Sequence, residues 1–182
     1  MHNDLSITKK LLNLCAKSIK MKLSNLTAIS PVDGRYGNKT SDLAEYFSEY
    51  GLIKYRIKVE LEYFIALSEL DLKGLGRLSA EKYAQIREIH ERFDLKSAER
   101  VKEIENITNH DVKAVEYYIK VEFDKIDLEK RKEFIHFGLT SQDINNTAIP
   151  LSFKEAVQYV MIPSLEDLLI QLKNRVEEWK DI

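Results

Sequence analysis

The chain has 182 residues and carries 28 Lys and Arg against 30 Asp and Glu, a formal net charge of −2. Six Gly and three Pro, about 5% of the residues against roughly 12% in average usage, leave too few turn-formers for a many-stranded sandwich or barrel. With 44% hydrophobic and 32% charged residues, the composition suits a buried core rather than disorder, and the near-neutral charge argues against a dedicated nucleic-acid binder. Cys15 is the only cysteine, which excludes an internal disulfide or a thiolate metal cluster and fits a cytoplasmic setting. No apolar run approaches the roughly 20 residues of a membrane span, so no membrane partner is expected. These features predict an all-α protein.

Residues 1–20 read as an extension. Lys9, Lys10, Lys17 and Lys20 surround a short apolar run that Asn13 interrupts, so the segment lacks the continuous core of a signal peptide. An amphipathic targeting helix is the alternative, and Met21 reads as a second start.

From Thr40 onward the signals are helical. Thr40, Ser41 and Asp42 are N-cap candidates before Leu43, Phe47 and Tyr50, with Gly51 as a break. Residues 53–63 then alternate apolar and charged, a strand period. Arg56–Glu60 and Lys58–Glu62, however, are opposite charges at i,i+4, and Phe64–Leu67 continues without a turn, which predicts a helix. Lys73–Gly76 is a loop, Ser79 caps a helix bearing Tyr83, Ile86, Ile89 and Phe93, and Ser97 is a cap candidate for a shorter one. Asn106–Asn109 breaks the pattern before the stripe of Val112, Val115, Ile119 and Phe123. After a charged connector, Thr140-Ser141-Gln142-Asp143 has the form of a capped helix start. Pro150 is expected to kink the helix that follows. The last helix carries Leu165, Leu168, Leu169, Leu172, Val176 and Trp179, of which 169, 172, 176 and 179 form a heptad seam.

General catalytic motifs are absent: there is no phosphate-cradling Gly-rich loop, nucleophile elbow or paired-cysteine zinc site. His90 and Asp94 have i,i+4 spacing, but two ligands without a third read as a solvated helix face. Three segments concentrate reactive polar groups. Ser30-Pro31-Val32-Asp33-Gly34-Arg35-Tyr36 reads either as a surface turn or as an Arg fork and a phenol suited to a phosphate or carboxylate. Thr108-Asn109-His110-Asp111 at a helix start is either an ordinary cap or an anion site with a titratable imidazole. His136 through Asp143 combines an imidazole, a Gly and two hydroxyls at another helix start. Three candidate anion sites in an acidic chain suggest a polyanionic small molecule.

These segments together resemble the adenylosuccinate lyase family of the fumarase/aspartase superfamily. The resemblance rests on Leu26 through Tyr36, on Thr108 through Tyr117, and on Glu133 through Phe137 followed by Thr140 through Asn146. It implies an all-α fold: an extension at 1–20, an amino-terminal helical domain at 21–130, and the start of a central helical bundle at 131–182. It also implies elimination of fumarate from adenylosuccinate, giving AMP, and from the succinylaminoimidazole-carboxamide ribotide, with no metal or cofactor, in a homotetramer.

By that resemblance Arg35 and Tyr36 contact the nucleotide phosphate and ribose. Asn109, His110 and Asp111 line the nucleotide and leaving-group region, with His110 assisting acid catalysis. Thr140 and Ser141 bind the succinyl carboxylate, and His136 belongs to the phosphate wall. The family's principal acid/base histidine, in an Arg-Thr-His-Gly-type segment, and its catalytic serine, on a Ser-Ser-x-Met-Pro loop, are not in this sequence. The chain is therefore expected to be inactive alone, as a piece of a lyase or as a non-catalytic module derived from one. An argininosuccinate-type lyase is the weaker alternative, because the context of Asn109-His110-Asp111 argues against it. Gln142 stands where close relatives often carry an acid.

Overall fold

The computed structural model describes residues 24–181, and among these every regular element is helical. The expectations for residues 1–20 and for Met21 lie outside the described residues. Two compact units divide at Ser41, Met1–Ser41 and Asp42–Ile182.

In the first unit, the described segment is a run of turns. Gly34 N–H donates to Ser30 O at 3.0 Å, Tyr36 N–H to Pro31 O at 2.9 Å, and the Thr40 hydroxyl to Val32 O at 3.0 Å.

The second unit contains α1 (Ala44–Phe47), α2 (Glu49–Glu69), α3 (Ala80–Glu91), α4 (Leu95–Thr108), α5 (Asp111–Asp124), α6 (Ser141–Ala156) and α7 (Ile162–Trp179). Its organiser is α2. The strand-like alternation at 53–63 arises because this helix packs on several sides at once, against α3, α5 and α6. Ile53, Ile57, Leu61 and Phe64 are buried, and so are Tyr55, Arg56 and Glu60. A helix enclosed on several sides loses the clean one-sided apolar stripe of a surface helix. Phe64 meets Phe123 of α5 edge-on at 4.8 Å between ring centroids, in a core with Ile86, Ile89, Val101 and Val115.

The caps follow local chemistry. Ser48 Oγ accepts from Gly51 N–H at 3.1 Å, and Ser79 Oγ accepts from Lys82 N–H at 3.2 Å as its sequence suggests. Of the expected caps, Ser41 and Asp42 lie in a 3-10 turn, Ser41–Leu43, that leads into α1, whose own N-cap position is Leu43, with no side-chain bond. Asp94 rather than Ser97 caps α4, its Oδ1 accepting from Ser97 N–H at 2.8 Å. An ionised carboxylate is the stronger acceptor for a helix N-terminus. Asp94 and His90 thus belong to different helices. Burial, followed by the Lys58 and Lys54 charges, pushes His90 down to about 4, so its imidazole is neutral at neutral pH.

Ser68, fully buried, ties the loop after α2 in place: its Oγ donates to Gly76 O at 2.8 Å and accepts from Leu78 N–H at 3.1 Å. Through Pro150, α6 continues as helix, and the departure from α-helical bonding comes later, as a π turn at Val157–Met161. Beyond it, Leu165, Leu168, Leu169, Leu172, Val176 and Trp179 of α7 all stay about half exposed or more.

Gly51 does not break the chain. It sits in the first turn of α2, where a Cβ would lie 2.7 Å from Glu45 O and 2.9 Å from Tyr46 C. Gly51→Ala is accordingly expected to lower stability by about 1–3 kcal/mol in urea unfolding, despite alanine's better helix propensity. A gain in stability would contradict this packing.

Candidate active site

The site is built outward from two charged residues of α2, one turn apart. The Arg56 side chain is only 6% exposed. Its Nη2 reaches Asp111 Oδ2 at 2.7 Å and its Nε donates to Asn145 Oδ1 at 2.9 Å. Glu60 is buried, with Oε1 2.5 Å from His136 Nδ1 and Oε2 without a hydrogen-bond partner. The sequence reads Arg56 and Glu60 as opposite charges at i,i+4; in the structure each reaches away from the other to a separate segment. Lys58 and Glu62 behave the same way, Lys58 donating to Glu155 at 2.9 Å and Glu62 accepting from Arg87 at 2.7 Å. Through Arg56 and Glu60, α2 gathers the start of α5, the loop before α6, and the body of α6.

The start of α5 is shaped by a sharp reversal. Asn109 adopts the left-handed region at φ 51°, and its N–H closes α4 by donating to Glu105 O at 2.7 Å. His110 is the N-cap of α5, its Nδ1 accepting from Lys113 N–H at 3.2 Å. An imidazole that accepts at Nδ1 carries its proton at Nε2 when neutral. His110 is half exposed, so this Nε2–H is available as a donor. Asp111 lies beside it, with Oδ1 accepting from Val112 N–H at 2.8 Å. Burial alone would raise the Asp111 carboxyl, but that amide and the Arg56 guanidinium hold it below the usual range.

Before α6 the backbone turns twice through the left-handed region, at His136 (φ 60°) and Gly138 (φ 72°). The expected cap forms between Thr140 and Asp143: Asp143 Oδ2 accepts from Thr140 N–H and from the Thr140 hydroxyl, each at 2.7 Å. Those hydrogen bonds hold Asp143 below the usual carboxylate range. The Thr140 proton is thereby committed to Asp143, while Asp143 N–H donates to Thr140 O at 3.1 Å. Behind the loop, Glu116 of α5 pairs with Lys113 at 2.7 Å and with Lys120 at 3.1 Å.

Arg35 and Tyr36 belong to the other compact unit. There the guanidinium stacks 4.5 Å from the Tyr36 ring centroid and donates to its hydroxyl at 2.6 Å, joining the fork and the phenol in one polar surface. The sequence reading missed Arg56, Glu60 and the role of Asn145. Their one signal is position: Arg56 stands between Tyr55 and Ile57 in a stretch too apolar for a free helix face. Among the described residues, no group of three or more His, Cys, Asp or Glu is arranged to hold a metal ion.

The family model described as Lyase matches residues 34–182. The chain belongs to the lyase family. Among curated relatives, it is 51% identical over 170 residues to the adenylosuccinate lyase of Dictyostelium discoideum. It is 44% identical over 164 residues to that of Vibrio cholerae and 43% identical over 164 residues to that of Escherichia coli K12. Each alignment covers 89% of this chain, which spans 36% of the relative's length. All three helix-borne segments of the site lie within the matched region.

The two ends of the Arg56–Asp111 pair differ in burial, 6% against 46% exposed side chain, so their removal is not equivalent. Asp111→Ala strands a buried guanidinium and is expected to cost about 3–5 kcal/mol. Arg56→Met leaves a carboxylate that water can reach and should cost clearly less. Urea denaturation of the two variants checks the order, and a larger loss for Arg56→Met would contradict it.

Proposed function

We propose that the chain supplies substrate-binding and leaving-group residues of an adenylosuccinate lyase, which eliminates fumarate from adenylosuccinate to give AMP. The same site would release fumarate from the succinylaminoimidazole-carboxamide ribotide. Support comes from the names of the relatives and, most directly, from the tethering of two helix starts and one imidazole to α2. Helix starts with hydroxyl and imidazole donors around them suit a ligand carrying a phosphate and two carboxylates.

In such an elimination a base removes the proton beside a carboxylate, the C–N bond breaks, and an acid protonates the departing nitrogen. His110 fits the leaving-group side, because its bond to Lys113 N–H leaves Nε2–H as the outward donor. Asn109 and Asp111 flank it. Ser141 with the α6 start takes a carboxylate, with Thr140 behind it in the capping pair. His136 contributes to the phosphate wall, and Arg35 with Tyr36 takes phosphate and ribose through their joined surface. No metal or cofactor enters this reading.

The assembly we propose is a homotetramer in the cytoplasm, its bundle including the exposed Leu169, Leu172, Val176 and Trp179 seam of α7. Residues 21–130 would then form an amino-terminal domain and 131–182 the start of that bundle.

The principal acid/base histidine and the catalytic serine of the family are not among the 182 residues. The chain alone is therefore expected to release no fumarate from adenylosuccinate above a no-protein control. Co-expressed with the carboxy-terminal remainder of the Dictyostelium relative, it should release fumarate, and His110→Ala should reduce that rate by about 10²-fold or more. Absence of any release from a soluble co-expressed pair would contradict the assignment.

A further inference from the structure

Outside the roles above, the structure contains a buried acid that no step has used. Glu60 lies within α2, and its side chain is 0% exposed. Such a carboxylate is costly unless a donor or an opposite charge meets it. In its place Oε1 has one partner, His136 Nδ1 at 2.5 Å, while Oε2 has none. The cations nearest in sequence are already engaged: Arg56 with Asp111 and Asn145, Lys58 with Glu155. Among the described residues, His136 is thus the hydrogen-bond partner that compensates Glu60.

The geometry points to Glu60 as a positioning residue for His136: its carboxylate accepts the Nδ1 proton and so turns Nε2 outward as the working atom. Three observations converge on this. The His136 backbone sits in the left-handed region at φ 60°, which a non-glycine residue adopts only when its surroundings hold it there. The ring is anchored on its Nδ1 side and is 18% exposed, so one edge faces the protein and part of the ring remains accessible. Glu60, fully buried with Oε2 unpaired, has this one hydrogen bond to compensate it, and burial pushes its carboxyl up while the bond to His136 offsets part of that rise.

The consequence is a division of labour between the two histidines. His110 accepts at Nδ1 from a backbone amide, whereas His136, on this proposal, donates at Nδ1 to a carboxylate. The first therefore offers an Nε2–H while neutral. The second offers an Nε2 lone pair while neutral and an Nε2–H only once it carries the extra proton, with the Glu60 charge stabilising that imidazolium. In the doubly protonated form the same ring would present Nε2–H to a substrate phosphate or carboxylate, with Glu60 behind it. The meaning for substrate binding rests on the lyase reading; the tautomer itself does not.

The test is a long-range 1H–15N spectrum of the imidazole rings in the ligand-free chain, with His136 assigned by loss of its signals in His136→Gln. The expected result is a protonated Nδ1 in wild type at neutral pH. In Glu60→Met, which matches the side chain in shape but cannot accept, the proton should move toward Nε2 while the backbone amide spectrum stays folded. An unprotonated wild-type Nδ1 overturns the proposal, and that arm needs no variant. An unchanged tautomer in folded Glu60→Met overturns it as well. Because no ligand is used, failure here is distinguishable from failure of the fumarate assay.

Discussion

The structure of the site turns on two opposite charges buried one helical turn apart on α2. Arg56 and Glu60 could have neutralised one another; that would have left α2 indifferent to its surroundings. Each is instead compensated from outside the helix, by Asp111 and Asn145 in one case and by His136 in the other. A charge in a low-dielectric interior is costly unless its partner is present. The segments carrying Asp111, His136 and Asn145 are therefore held to α2 by the cost of leaving these charges uncompensated, in addition to apolar burial. Apolar packing such as Phe64 on Phe123 can be rearranged at modest cost, whereas these directional pairs specify one register of α5 and α6 against α2.

This arrangement also solves an electrostatic problem for an anion site in a chain of net charge −2. Asp111, Asp143, Glu60 and Glu116 all lie near the segments that would meet the ligand. Arg56, the Thr140 donors, His136, and the Lys113–Lys120 pair each answer one of them. With the acids answered locally, the outward His110 Nε2–H and the Ser141 hydroxyl at the α6 start would be left for the proposed phosphate or carboxylate. The specific polarity of the site lies in where hydrogen bonds point, not in net charge.

Much of the fold was legible because helix signals are local. Low Gly and Pro content, the cap at Ser79, the Thr140–Asp143 pair and the Val112–Phe123 stripe all depend on residues within a few positions of each other. The misreadings share one cause, tertiary context. Alternation at 53–63 imitated a strand because α2 is covered on several sides. Gly51 resembled a break, though it admits the backbone of α1, and Ser97 resembled a cap, though Asp94 takes that place. For the site, the motif residues at 109–111 and 136–143 stood out as chemistry without a structural need. Arg56 and Glu60 did not, since the i,i+4 rule gave them a ready explanation as a helix-supporting pair of opposite charges. Their partners, at sequence separations of 89 and 76 residues for Asn145 and His136, cannot be read from local spacing.

If Arg56 is what fastens the site segments, removing it should loosen them selectively. Amide hydrogen exchange, read residue by residue in wild type and in Arg56→Met, measures this directly. Exchange is expected to accelerate about tenfold or more at residues 110–113 and 144–148, a local loss of about 1.4 kcal/mol, while the amides around Phe64 and Phe123 keep their protection. Unchanged exchange in those two segments, or a uniform rise across α2, α3 and α5, would contradict the account.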